Sequence, residues 1–508
     1  VPGVERVEVA ELEPSVTEVA RRAALANESV LDNPKVHLLI GDGRELLLTS
    51  PRRYDLVLSE PSNPYRAGVA SLFTREFYAA AASRLEQRGL FAQWLQGYEI
   101  DANTVAMAIS TMRAVFPYVS LWGPEGNDLF LVGSLQPQTL DMDRLTRDLR
   151  QPAYLKWLRR AWGMEGPEAL VAHSLAPPPL LDRLAKSIAV EPNTDDVNAL
   201  EFAFARAVGD SRYSILKDLW STLTPTDYRP ALTGAIDWNR VEELRARMVW
   251  PTPGGPKGVP ARARAVTAGC EDASIERARG LWPPGVEPSD MVEVWVRGYI
   301  AAMSGDAETA RYADLLEGQG FVAEALLLRE RSADAHDDST QAVAFMLRAL
   351  GELRTTALPL CNATSRAIKR AVVLANKRPE KAAELLHALE APFAVYADDT
   401  SRQLAMLAIA QTAPNLCMEA LGAFRDKPVW LLNVLRLRAD CLKRAGAPDA
   451  PAAQADLVDF LDREPASFGA ASGAQLPDSV PLIPPGPKQD TQQAPPLARP
   501  PTTDSDSG

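Results

Sequence analysis

The chain has 508 residues, 46% of them apolar and 24% charged, proportions of an ordinary globular protein with about three domains. Its 54 basic and 66 acidic side chains give a formal net charge of -12 and a pI near 5.1, which suits a phosphate backbone poorly and argues against nucleic acid as a partner. No window approaches ~18 consecutive apolar residues, so nothing in the sequence reads as a membrane span, and four scattered cysteines without CxxC spacing and four separated histidines predict neither a metal site nor a disulfide framework, hence a reducing compartment.

Residues 1–135 alternate short apolar runs with amphipathic stretches. The sequence opens at Val1 inside what reads as a strand, so we expect a piece of a longer protein whose N-terminal part is missing. RVEVAEL (6–12) predicts a strand delivering Glu11, and PSVTEVARRAALA (14–26) has helical spacing with proline at its start, where a missing N–H costs nothing. KVHLLI (35–40), YDLVLS (54–59) and LFAQWL (90–95) predict three buried strands, each followed by a turn and a helix. VSLW (119–122) and DLFLVG (128–133), divided by a Gly/Pro turn, predict a closing hairpin. Strand–helix alternation at this spacing predicts a mainly parallel sheet with crossover helices.

Residues 136–250 read as mostly helical, interrupted by APPPL (176–180) and EPNTDDVN (191–198). Residues 251–290 form a Pro/Gly-rich linker. From 291 to 465 the pattern is helical, and Pro392, Pro428 and Pro465 recur at spacings of 36 and 37. The positions ten, seven and four before each are Ala382/Leu385/Ala388, Met418/Leu421/Phe424 and Ala455/Val458/Leu461, all apolar at one-face helical spacing. That period suggests tetratricopeptide-like (TPR-like) helix pairs, with an irregular helical bundle as the alternative. Residues 466–508 are rich in Pro, Gln, Ser and Ala, a composition that predicts a disordered tail.

In a doubly wound sheet, ligands sit beyond the carboxyl ends of the strands. Glu11 there could accept hydrogen bonds from ribose hydroxyls, or be a solvated strand-end acid. After the next strand, Asp42 could accept from an adenine amino group while Gly43 lets the backbone approach the ring; the same residues also make a common turn. The third strand delivers EPSNP (60–64), where two prolines fix an extended loop bearing Glu60, Ser62 and Asn63. This loop enters a helix at Thr74, with Glu76 in the first turn, where the dipole favours an acid. Trp94 and Tyr98 read as core and pocket wall, His37 as structural. Asp195 and Asp196 could close over the site or cap a turn.

Five blocks, VEVAELEPSV, NPKVHLLIGDGRELL, RRYDLVLSEPSNP, SLFTREFY and GLFAQWLQGYEID, stand in the order and spacing of spermidine and spermine synthases. The resemblance covers roughly residues 1–135. The SEPSNP and QWLQ wording, with NTDD (193–196) and LEF (200–202), looks most like the large bacterial spermidine synthase-like proteins that carry an N-terminal membrane-embedded segment. The resemblance implies an α/β fold: a Rossmann-like, class I methyltransferase-type sheet with an antiparallel last strand, here lacking its first strand. The all-α TPR-like repeats and the disordered tail would follow. It implies an S-adenosyl sulfonium donor, either decarboxylated S-adenosylmethionine for aminopropyl transfer or S-adenosylmethionine for methyl transfer, with a small amine such as putrescine as acceptor and no metal.

By position, Glu11, Asp42 and Gly43 would hold the nucleoside. Glu60 would stand where the family has its catalytic aspartate, and Asn63 where it has an amine-binding aspartate. Ser62, Gln93 and Tyr98 would complete the acceptor site. Glu60 reaches about one methylene further than aspartate, and Asn63 lacks the charge that attracts an ammonium. The glycine-rich loop that cradles the sulfonium would lie before Val1, so the isolated chain is expected to bind the donor weakly or not at all. The expected setting is the cytoplasmic side, with membrane attachment only through the missing segment and a protein partner on the repeats. A methyltransferase is one alternative; a membrane-tethered, non-catalytic scaffold whose repeats recruit partners is the other.

Overall fold

The computed structural model describes residues 3–463, apart from 67, 124–127, 189, 204–226, 250–260, 271–274, 276–277, 279–281, 283–285, 395–397 and 423–429. The expected disordered tail, Pro428, Pro465 and much of the linker lie outside the described residues. The chain divides into two compact units, residues 1–413 and 414–508. No described helix is long and apolar enough to cross a membrane.

Strand β1 (Val7–Glu11) pairs in parallel with β2 (Val36–Ile40), from Val7↔Val36 to Glu11↔Ile40. Strand β3 (Tyr54–Ser59) pairs in parallel with β4 (Leu85–Gln96). The expected hairpin is present: β5 (Tyr118–Trp122) runs antiparallel to β6 (Asp128–Ser134), and β6 antiparallel to β4. Strand β7 (Ser174–Ala176) adds to the far edge, giving the order β3-β4-β6-β5-β7. The sheet is therefore mixed, not mainly parallel, and it comes in two pieces. Between β1 and β3 there is no ladder; the Tyr54 hydroxyl instead donates to Glu8 Oε2 at 2.7 Å. Two long side chains laid end to end span more than the ~4.8 Å between paired strands.

Side-chain contacts fix the direction of β3 relative to β1 and β2. Helix α2 (Gly43–Thr49) follows β2, and α3 (Arg75–Ser83) leads into β4. Near the start of α2, Arg44 reaches the Ser71 carbonyl just ahead of α3; near its end, the Leu47 and Leu48 carbonyls accept from Arg84, just after α3. The two helices lie side by side in the same direction. Each is the return crossover of a parallel strand, so β1, β2, β3 and β4 all present their carboxyl ends at one end of the domain.

The core lies beneath β4 and β6. Phe91, Leu95, Leu129 and Leu131 pack with Phe77, Tyr78 and Ala81 of α3 and with Val105, Ile109 and Met112 of α4 (Ala102–Arg113). Phe91 stacks on Phe116 at 5.6 Å, and Gly133 admits that ring, since a Cβ there would stand 2.7 Å from Phe116 Cγ. The expectation that 35–40 and 54–59 are buried strands is corrected. Leu39, Ile40, Leu56 and Leu58 are exposed, the last two at 55% each, because the described helices cover these strands incompletely.

Beyond the sheet, α5 (Trp238–Val249), α6 (Ala261–Cys270) and α7 (Met291–Met303) meet around a buried ion cluster. Glu293, fully buried, accepts from Arg262 Nε at 2.8 Å and also pairs with Arg247, while Asp290 takes Arg240 and Arg247 at 2.7 Å each. Helices α8 (Glu308–Gly318), α9 (Val322–Ala335), α10 (Ser339–Leu353), α11 (Ala363–Lys377), α12 (Ala382–Glu390) and α13 (Asp399–Thr412) follow, each packing on the next or next but one. The second unit holds the pair α14 (Leu432–Arg444) and α15 (Ala450–Arg463).

Two sequence expectations fail in this helical region. The apolar triplets do not share one buried face: Ala382 and Leu385 are buried, but Val458 and Leu461 are exposed, and α15 buries Ala453 and Leu457 instead. The four cysteines are also paired, Cys270 with Cys361 and Cys417 with Cys441, at Cα separations of 5.0 and 5.7 Å. Sequence separations of 91 and 24 residues hid pairings that only helix packing creates.

Candidate functional site

At the shared carboxyl end, the backbone N–H of Gly41 donates to the Glu11 carbonyl at 2.9 Å, closing the ends of β1 and β2 together. The Glu11 carboxylate accepts from Glu13 N through Oε1 at 2.9 Å. Asp42 caps α2, accepting Arg44 N through Oδ1 at 2.7 Å, as expected of an aspartate before a helix. Both acids therefore do structural work with one oxygen, and their second oxygens carry no hydrogen bond among the described residues. Gly43 starts α2; a Cβ there would meet only Ala10 Cβ, at 3.5 Å. Packing does not require glycine at this position.

The β3 loop sits beside the β4 loop because Ser59 registers with Gln93. Asn63 Nδ2 donates to Gln96 Oε1, and Gln96 Nε2 donates to the Tyr98 carbonyl at 3.1 Å. The two loops are thus stitched by amides, with Gln96 fully buried. Glu60 and Ser62 are exposed, and neither has a side-chain partner among the described residues. Tyr98 is 38% exposed at the rim. Gln93 shares the buried face of β4 with Phe91 and Leu95; its Nε2 donates to the Trp94 carbonyl at 3.4 Å and its Oε1 has no partner among the described residues.

Thr74 caps α3 as the sequence suggested, accepting Phe77 N at 3.3 Å. Arg44, Gln96 and Glu99 are the residues the sequence did not single out. Glu99 holds a left-handed φ of 52°, uncommon for a residue with a Cβ. Arg44 holds Asp195, whose carboxyl sits below its ordinary range because of that hydrogen bond, against a smaller opposing effect of burial. His37 is structural, with Nε2 2.8 Å from Arg6 Nη1.

Fold and site together define a Rossmann-like α/β domain whose polar loops gather at the carboxyl ends of parallel strands. Residues 1–122 match the spermine/spermidine synthase domain. The polyamine aminopropyltransferase of Bacillus cytotoxicus is 24% identical over 168 residues, covering 32% of this chain and 60% of that protein. The polyamine aminopropyltransferase of Mycobacterium tuberculosis is 34% identical over 125 residues, 23% of this chain and 24% of that one. The solved spermidine synthase of Thermotoga maritima aligns at 23% identity over 27% of this chain and 47% of its own, with a TM-score of 0.24. The chain thus spans less than two thirds of the length of each of these relatives.

Proposed function

We propose that the protein transfers an aminopropyl group from decarboxylated S-adenosylmethionine to a small amine of the putrescine class. What supports this reading is the parallel run of β1 with β2 and of β3 with β4, whose carboxyl-end turns carry Glu11, Asp42, Gly43, Glu60, Asn63 and Tyr98. Glu11 and Asp42 offer their second carboxylate oxygens to the ribose hydroxyls and the adenine amino group. Glu60, exposed and unpaired among the described residues, orients the acceptor nitrogen and takes its proton. Asn63, Ser62 and Tyr98 line the acceptor side. In the step itself the neutral nitrogen attacks the carbon next to the sulfonium; that C–S bond breaks and methylthioadenosine leaves with the electron pair.

One feature supports a second reading, methyl transfer from S-adenosylmethionine to a small molecule. Asn63 carries no charge and is bonded to Gln96, so the acceptor side lacks the carboxylate that a diammonium ligand would seek; one such missing charge weakens binding by roughly 1–3 kcal/mol. The test is to incubate the full protein with putrescine and each donor in turn and identify the nucleoside product. Methylthioadenosine supports aminopropyl transfer, and S-adenosylhomocysteine supports methylation. Neither product with any amine overturns both and leaves the non-catalytic scaffold.

A further inference from the structure

Arg44 follows Asp42 and Gly43 at the second position of α2, yet its guanidinium serves a different part of the chain. Its Nη1 donates to the Ser71 carbonyl and to Asp195 Oδ1, each at 2.9 Å, and its Nη2 donates to Asp195 Oδ2. The Ser71 carbonyl also accepts from Thr74 Oγ1 at 3.1 Å, and Thr74 caps α3. Asp195 in turn donates its backbone N–H to Glu76 Oε2 at 3.1 Å. Two residues earlier, Asn193 is buried and anchored on both sides. Its N–H donates to Thr111 Oγ1 at 2.8 Å, its Nδ2 donates to the Phe73 carbonyl at 3.2 Å, and its carbonyl accepts from Arg75 N at 2.9 Å. A strap 151 residues away in sequence therefore joins the turn after β2 to the segment that leads from the β3 loop into α3.

We propose that the Arg44–Asp195 pair is a positioning device that sets the spacing between the nucleoside side of the site, residues 42–43, and the acceptor side, residues 60–76. This rests on the transferase reading above. The pair touches neither reactant; it acts through the Asp42 cap and the entry to α3. Its side chains are 21% and 39% exposed, and ion pairs of that kind add little to stability. In-line displacement, by contrast, is sensitive to ~1 Å of misplacement between nucleophile and leaving group. A cross-link of small energetic value at this place is better explained by alignment than by folding.

The experiment compares wild type with Arg44→Ala, Asp195→Ala, the double variant and Arg44→Lys in the full protein. Thermal unfolding, hydrogen exchange at 71–76 and 193–198, and kcat and KM for nucleoside release are measured on each. Both single alanine variants are expected to lose about tenfold or more in kcat, with melting temperature and amine KM nearly unchanged and exchange faster in both segments. The double variant should be no worse than either single one, because the residues act as a unit, and Arg44→Lys should recover part of the loss. An effect on KM alone, multiplicative losses in the double variant, or unchanged exchange at 71–76 in Asp195→Ala would overturn the proposal. If the wild type releases no nucleoside, the transferase reading fails on that result, while the exchange data still decide whether the pair fixes the two segments.

Discussion

Replacing Gly43 with alanine separates what the fold demands from what a ligand demands. The added methyl would meet only Ala10 Cβ, at 3.5 Å, which is ordinary contact, and Gly43 does not need a left-handed backbone. Alanine here restricts the unfolded chain and should stabilise by about 0.4–1 kcal/mol, which in a unit this large moves the melting temperature by no more than ~2 °C upward. If adenine lies against this backbone, the same methyl occupies the space of the ring and should weaken nucleoside binding about tenfold, or ~1.4 kcal/mol. Thermal unfolding and calorimetric titration with 5′-methylthioadenosine, run side by side on the full wild-type and Gly43→Ala proteins, give both numbers. Unchanged nucleoside affinity in the variant would refute the placement of the base. A fall in melting temperature of more than ~5 °C would refute the packing argument.

Glu293→Gln should destabilise the first unit by about 3–5 kcal/mol, since it leaves Arg240, Arg247 and Arg262 facing too few buried carboxylates; a urea midpoint within error of wild type would contradict the cluster. Alkylation followed by mass measurement should find no free thiol without reductant and four after reduction, whereas four reactive thiols in the untreated protein would refute the pairing of Cys270 with Cys361 and Cys417 with Cys441. Burial acts to raise the Glu8 carboxyl, but hydrogen bonds from Tyr54 and Arg6 and the charge of Arg52 outweigh it and hold the group below 4.5. The folded value lies below the unfolded one, so this contribution is present above about pH 4.5 and is lost as the pH falls through the lowered folded value. Protection of the β1 amides, taken relative to the intrinsic exchange rate at each pH, should fall over that acid range, and Glu8→Gln should abolish the dependence; protection independent of pH in wild type would count against it.

Much of the sheet was legible because its signals are local. An apolar run ending in an acid marked β1, the YDLVLS run marked β3, the Gly/Pro stretch between VSLW and DLFLVG marked the β5–β6 hairpin, and Thr74 with Glu76 two residues later marked the start of α3. The carboxyl-end location of Glu11, Asp42 and Glu60 followed from the same patterns. What escaped notice depends on partners far away in sequence. Leu56 and Leu58 read as buried because a β-branched and leucine-rich run does not reveal which face is covered. Val458 and Leu461 match a helical period, yet the buried face of α15 is set one residue away by its neighbour α14. The cysteine pairs and the Arg44–Asp195 contact join positions separated by 24 to 151 residues, and no short-range pattern encodes them.

Hydrogen exchange of the full protein with and without saturating 5′-methylthioadenosine tests most directly whether one nucleoside is shared by the strand ends. Simultaneous protection at 11–13, 41–44 and 60–63, with the helices beyond residue 291 unchanged, is the expected result. Protection confined to one of these turns, or appearing only in the helical region, would contradict it.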